Sequence, residues 1–293
     1  MNCVPALFLE RVVFQFTRTD TLLAGRNLSR LPGNVVSEFY AKRFIHYVWL
    51  RNGLLAKESY LNCEDRELDI ETPSRTHLRF ATIVIQATGG EYITNSKATE
   101  RLLSATKATP VLLCLQTSDI SKEVAKCIES IRLVFELQLY TKITSDVLKI
   151  MRSLVKKNTL NKMSIAKEVE IEDETAQLLV ELLKQKQFFR MFLRAKCSAA
   201  LKTIITSWRE NSEEMVGKII CCKERFSELQ LPSTEFQFKE CNEEEERDAK
   251  RAYPFVADWP SITTISVLRN HDGSAVYCFS KPSFELKSEF LFA

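Results

Sequence analysis

The sequence predicts an α/β solenoid: stacked helix–strand units between a helical N-terminal cap and a β C-terminal cap. Three observations predict it. An apolar triplet spaced apolar-x-x-apolar-x-apolar recurs six times, starting at Phe80, Pro110, Val134, Leu160, Phe188 and Val216. The steps between starts are 30, 24, 26, 28 and 28 residues, a period of about 27. From Pro110 onward a segment of helical periodicity separates each copy from the next. A unit of this kind cannot bury its own apolar face, so it stacks on its neighbours, strands lining one side of the array and helices the other.

Taken in order, residues 1–75 lack the repeat. The segments "VPALFLERVVFQF" and "VVSEFYAKRFIHYVWLRNGLLAKESYL" read as the N-terminal cap, and the acidic "CEDRELDIETPS" as a linker. The array occupies 76–225. Its inward residues are Phe80, Ile83 and Ile85, then Pro110, Leu113 and Leu115, then Val134, Leu137 and Leu139. Leu160, Met163 and Ile165 follow, then Phe188, Met191 and Leu193, then Val216, Ile219 and Cys221. The helices between them carry apolar stripes such as Leu148, Met151, Leu154 and Val155, or Leu201, Ile204, Ile205 and Trp208. Asp173 and Ser198 are candidate N-caps. A doubly wound α/β domain also alternates helix and strand. Fixed triplets at a regular step, rather than continuous Val/Ile runs, favour the solenoid.

The period lies at the upper end of the roughly 20–29 residues of leucine-rich repeats. Such repeats carry Asn or Cys three residues after the last leucine. Here Thr88, Ser118, Lys142, Glu168, Lys196 and Glu224 stand in those places, so the array is leucine-rich-repeat-like. In 226–293, "NEEEERDAKR" is a polar helix opened by an Asn242–Glu245 capping box. A β-hairpin turns at Asp272–Gly273, and "FELKSEFLF" adds a strand.

The chain of 293 residues is 45% hydrophobic, with a net charge of +3. That balance carries no global nucleic-acid signature. Nine cysteines without a C-x-x-C pattern read as buried free thiols, which points to a reducing compartment, cytoplasm or nucleus. No apolar run reaches the ~18 residues of a membrane span. Seven glycines form neither G-x-G-x-x-G nor a P-loop, and His46, His77 and His271 lie far apart. His46, flanked by aromatics, reads as a packed, hydrogen-bonded core residue. The run Glu243–Glu246 reads as a solvated helix face, and the adjacent Cys221 and Cys222 point to opposite faces of a strand. No catalytic residue, metal site or cofactor is expected.

The strand alternates that point away from the helices are the candidate partner-binding face. They are Glu136, Gln138 and Tyr140; Lys162 and Ser164; Arg190, Phe192 and Arg194; and Lys218. Residues 182–209 hold Lys184, Lys186, Arg190, Arg194, Lys196, Lys202 and Arg209, with no Asp or Glu. The face therefore suits an anionic protein partner, with Phe192 as an aromatic anchor. Nucleic acid is disfavoured because the basic stretch is local and few aromatics interleave it.

The opening "VPALFLERVVFQF", together with "RFIHYVWLRNGLLAKESYL", "SLVKKNTLNKMSI", "LVELLKQKQFFRMFL" and "SWRENSEEMVGK", resembles a nematode-expanded family of F-box-like, leucine-rich-repeat-like proteins. The resemblance spans most of residues 1–280. It implies that an N-terminal helical motif, here Val4, Pro5, Leu7, Val12, Val13 and Phe16, docks the adaptor of a cullin-type ubiquitin ligase. It implies that the repeats recruit the target. The expectation is a non-enzymatic recognition module, a substrate receptor of such a ligase. The alternatives are a solenoid scaffold without a ligase link and an enzyme on a doubly wound fold.

Overall fold

Alternating apolar residues at Val134–Leu139, Lys162–Ile165 and Arg190–Leu193 form strands, and the amphipathic stretches between them form helices. The computed structural model describes residues 34, 36–38, 42–62, 64, 66–68, 78–87, 109–224, 227, 229, 236–252, 264–280 and 288–293. The fold is mixed α/β, its strands in an open sheet. The chain divides into two compact units, Met1–Leu113 with Ser130–Leu133, and Cys114–Glu129 with Val134–Ala293.

In the first unit the strands are β1 (Phe44–Arg51), β2 (Leu54–Asn62), β3 (Glu67–Leu68) and β4 (Leu78–Gln86), in the order β4-β1-β2-β3. β1 is antiparallel to β2 and parallel to β4. The N-terminal cap expected as helical is mixed within the described residues: 34, 36–38 and 42 are helical, and Phe44–Asn62 is a β-hairpin. Its turn is Asn52–Gly53, both at positive φ (50° and 79°), and Asn-Gly between alternating apolar residues is the strongest short hairpin signal. His46 is 7% exposed, 3.0 Å through Nε2 from Glu58 Oε1, and stacked on Tyr60 at 4.8 Å. It is the packed core histidine the sequence suggested.

β5 (Val111–Leu115) contains the boundary between the units. The second unit continues α1 (Lys122–Ser130), β6 (Val134–Leu139), α2 (Ser145–Lys156), β7 (Lys162–Ile165), α3 (Asp173–Leu183), β8 (Arg190–Leu193), α4 (Ser198–Glu210), α5 (Ser212–Met215) and β9 (Ile219–Cys222). β6, β7, β8 and β9 are parallel and adjacent in chain order. The predicted inward residues Val134, Leu137, Leu139, Leu160, Met163, Ile165, Phe188, Met191 and Leu193 are all at most 1% exposed. The helix stripes are buried as expected, including Leu148, Met151, Leu154 and Val155 of α2.

Two capping expectations are corrected. Asp173 and Ser198 open their helices one residue inside the caps, which are Glu172 and Cys197. Thr144 caps α2, accepting from Val147 N–H. In place of an Asn ladder, side chains in the helix-to-strand links bond the backbone of neighbouring units. Thr159 Oγ1 donates to Val134 O (2.9 Å), Asn161 Nδ2 to Gln187 O (2.9 Å) and Gln185 Nε2 to Val155 O (2.7 Å).

The C-terminal part adds β10 (Lys239–Glu240), α6 (Glu243–Ala252), β11 (Thr264–Arg269), β12 (Ala275–Ser280) and β13 (Ser288–Phe292). The order β10-β11-β12-β13-β9 inserts the last strand, antiparallel, between the hairpin and β9. The capping box forms: Glu245 N–H donates to Asn242 Oδ1 (2.9 Å), and Asn242 N–H to Glu245 Oε2 (3.1 Å).

The β11–β12 turn has Gly273 at φ 89° beside Asp272, whose carboxylate accepts from Ser212 Oγ, Ser274 N–H (2.9 Å) and Ser274 Oγ (2.6 Å). These donors, Ser212 first, hold Asp272 down from 3.8 to about 2. A depressed carboxylate contributes stability that is present above its unfolded pKa and lost as pH falls through the folded one. The denaturation midpoint of the native chain should fall more steeply than that of Asp272→Asn between 3.8 and about 2. Parallel profiles would show that these bonds do not form in solution.

Candidate functional site

Register places the predicted face residues in two rows across the parallel strands. One row runs Glu136, Lys162, Arg190 and Ile219, the other Gln138, Ser164, Phe192 and Cys221. From Glu136 to Phe192 these side chains are half-buried, opposite the fully buried inward set. Tyr140, one residue past β6, is 43% exposed. Arg194, one past β8, donates its N–H to Ile165 O at 2.9 Å.

The charges on this face answer one another. Lys162 Nζ lies 3.9 Å from Glu136 and 5.7 Å from the Phe189 ring centre. Gln138 Nε2 donates to Glu136 Oε1 at 2.8 Å. Arg190 Nη2 reaches Glu289 Oε1 at 3.2 Å, and its guanidinium lies 5.6 Å from the Phe192 ring. The same Glu289 oxygen accepts from Cys221 Sγ at 3.2 Å. Phe192 packs at the margin of a buried cluster that includes Ile219, Cys221, Ala249, Val267 and Leu291. C-terminal residues therefore abut the β8 end of the face.

The sixth copy is corrected by one residue. Met191 pairs with Ile220 and Leu193 with Cys222, so Ile220 and Cys222, both 0% exposed, are the inward residues. Ile219 and Cys221 lie on the face of Arg190 and Phe192, and Val216 is 54% exposed. Lys218 leaves the predicted face altogether. It precedes β9, is 5% exposed, and donates through Nζ to Phe188 O (2.6 Å), Gln185 O (2.7 Å) and Lys186 O (3.5 Å). Burial lowers its pKa below the usual lysine value. The physical reason is that β9 is covered on both faces, so all four of its residues are apolar and its pattern carries no period of two.

At the C-terminal ends of β7, β8 and β9 lies a cavity of about 820 Å³. The parallel ladder runs one residue beyond the strands: Ala166 N–H donates to Leu139 O (2.8 Å), Arg194 to Ile165 O (2.9 Å) and Lys223 to Leu193 O (3.1 Å). This brings Lys167, Arg194, Lys196 and Lys223 to one opening, with Glu168, Glu170 and Glu224 in its wall. Glu224 accepts from Cys197 N–H (2.8 Å) and Cys197 Sγ (3.3 Å). The cavity was missed in sequence, although the acid-free run 182–209 contains Arg194 and Lys196. Elsewhere acids from distant segments answer that run, as Glu214 does Lys184 at 3.2 Å.

The seven described cysteines are buried thiols outside any disulfide. Burial pushes Cys114 and Cys241 up to about 11 and also raises Cys222 and Cys278 well above the ordinary thiol value, so these thiols stay protonated near neutral pH. Among the described residues no His, Cys, Asp and Glu side chains cluster in a metal-binding group, and no helix is long and apolar enough to cross a membrane. The candidate adaptor-docking residues Val4, Pro5, Leu7, Val12, Val13 and Phe16 lie outside the described residues. No protein-family model, curated protein or solved structure matches the chain.

Proposed function

We propose that the chain is a non-enzymatic protein-recognition module, a leucine-rich-repeat-like solenoid that holds a target against the strand face of β6, β7 and β8. The observation that carries this reading is the sequential parallel order β6-β7-β8-β9, each link holding at least one helix. A doubly wound enzyme fold reverses strand order at a switch point, where its ligand sits. A sequential order with crossovers of one hand puts the helices on one side and leaves strands on the other. The half-buried residues Glu136, Gln138, Lys162, Ser164, Arg190 and Phe192 on that open side support it further. Their mutual neutralisation favours a partner read by aromatic and amide contacts as much as by charge.

The link to a cullin-type ubiquitin ligase rests on the N-terminal resemblance, through Val4, Pro5, Leu7, Val12, Val13 and Phe16. The scaffold reading shares the face and omits that link. Cytoplasm or nucleus is the proposed compartment.

Affinity purification of the intact chain, followed by mass spectrometry, tests the first claim. Tyr140→Ala with Ser164→Arg should deplete the retained target about tenfold, the scale of losing one well-packed aromatic contact. An unchanged set of retained proteins would remove the face from the reading. In the same experiment adaptor and cullin should co-purify with the native chain and vanish with Pro5→Ala plus Leu7→Ala. Target retention without them leaves the scaffold.

A further inference from the structure

The candidate face answers most of its own charge, whereas the cavity at the strand C-terminal ends gathers cations from adjacent units. Lys167, Arg194, Lys196 and Lys223 follow β7, β8 and β9 at the end of one hydrogen-bonded ladder. The ladder aligns Ala166, Arg194 and Lys223, and Lys167 and Lys196 follow it by one and two residues. Lys167 and Lys196 are exposed, and Arg194 and Lys223 half-buried.

The wall also carries Glu168, Glu170 and Glu224. Glu224 is turned toward Cys197, bonded to its N–H and thiol. Glu168 and Glu170 are exposed on the β7 side of the opening, while Arg194, Lys196 and Lys223 stand on the β8 and β9 side. With Lys167 the β7 side carries two carboxylates to one ammonium, and with Glu224 the β8 and β9 side carries three cations to one carboxylate, so the net charge differs in sign across the cavity. A compact dianion such as phosphate would meet both signs within a few ångströms. An extended chain places one sign against each side. At about 820 Å³ the cavity is the size of sites that enclose several side chains.

We propose that this cavity is the specificity pocket of the recognition module, and that it takes an extended segment of the target in which an acidic side chain lies beside a basic or amide-bearing one. The acidic side chain sits against Arg194, Lys196 and Lys223; its neighbour donates to Glu168 or Glu170. The inference rests on the recognition reading, and it moves the charge selection from the strand face to the strand ends.

The test pans a phage-displayed library of random dodecapeptides on the intact chain, then measures the enriched peptides by fluorescence anisotropy. Enriched sequences should carry Asp or Glu next to Lys, Arg, Asn or Gln. Lys196→Glu with Lys223→Glu should weaken them at least tenfold, and Lys196→Arg with Lys223→Arg should retain them. Glu168→Lys with Glu170→Lys should shift selection toward acidic neighbours. Circular dichroism and an unchanged melting midpoint check the fold of each variant. Since Lys196 is exposed and Lys223 half-buried, the reversals are compatible with folding. If a reversal nevertheless melts early, the same peptides measured on Lys196→Gln decide. Peptides that lack acidic residues, bind the charge-reversed chain equally, or are displaced by inorganic phosphate would overturn the proposal, as would no enrichment. Peptides that lose binding with Tyr140→Ala and Ser164→Arg but not with the charge reversals would overturn the pocket and leave the strand-face reading standing.

Discussion

Replacing Trp208 with alanine should cost about 3–5 kcal/mol of stability, whereas phenylalanine there should cost less than about 1.5. Trp208 lies on the inner stripe of α4, 0% exposed, edge-on to Phe292 of β13 at 6.2 Å between ring centres. It thus joins α4 to β13. Alanine leaves a cavity that the packed sheet cannot close, and removes an aromatic pair in addition. Phenylalanine keeps most of the volume. It also removes the indole N–H, which has no hydrogen-bond partner among the described residues, so part of the lost packing is offset. Domain stabilities are about 5–15 kcal/mol, so the alanine variant approaches the unfolding threshold. Urea midpoints at unchanged slope measure both. An alanine cost near 1 kcal/mol would mean that α4 and β13 do not pack this way.

The second large effect is at Lys218. Substitution by methionine should destabilise by about 2–4 kcal/mol, although the stem and its packing are largely kept. The ammonium donates to Gln185, Lys186 and Phe188 carbonyls in the link between α3 and β8. Without it those acceptors are left in a site from which water is largely excluded, and the link loses its tie to the segment that enters β9. Arginine should not restore the loss, because a planar fork does not reproduce three acceptors around one nitrogen. A residue on an open binding face would show the reverse: methionine neutral for stability and harmful for partner retention. Equilibrium denaturation of Lys218→Met, beside the target purification, separates the two directly.

Much of the local structure is legible in residues close in sequence. The triplets from Val134 to Leu193 predict their own orientation because apolar and polar residues alternate, and one orientation alone buries the apolar set. The helix stripes follow from the 3.6-residue period, and the Asn242–Glu245 box forms because both partners lie within one turn. The Asn52–Gly53 hairpin is equally local, and its turn is the signal that separates strand from helix in this apolar segment.

The candidate site was legible only in outline. Glu136 to Phe192 lie on the predicted face, but Glu289, the partner of Arg190, is 99 residues away in sequence. Nothing within the Arg190 strand shows that its charge is answered. The cavity at the strand ends draws on three links separated by whole repeat units, and only the ladder between them makes one opening of Lys167, Arg194, Lys196 and Lys223.

The sequence by itself determined the alternation of helix and strand, the inward faces of the three copies from Val134 to Leu193, and the Asn242–Glu245 capping box. Their physical cause is periodic burial and short-range hydrogen bonding, and both are written in neighbouring positions. Only the tertiary structure decided the register of β9, the burial of Lys218 and the answering of Arg190. β9 lies between β8 and a strand that arrives from the end of the chain, with both of its faces covered. A strand covered on both sides carries no alternation, so its register is set by its hydrogen-bonded neighbours and not by its own residues.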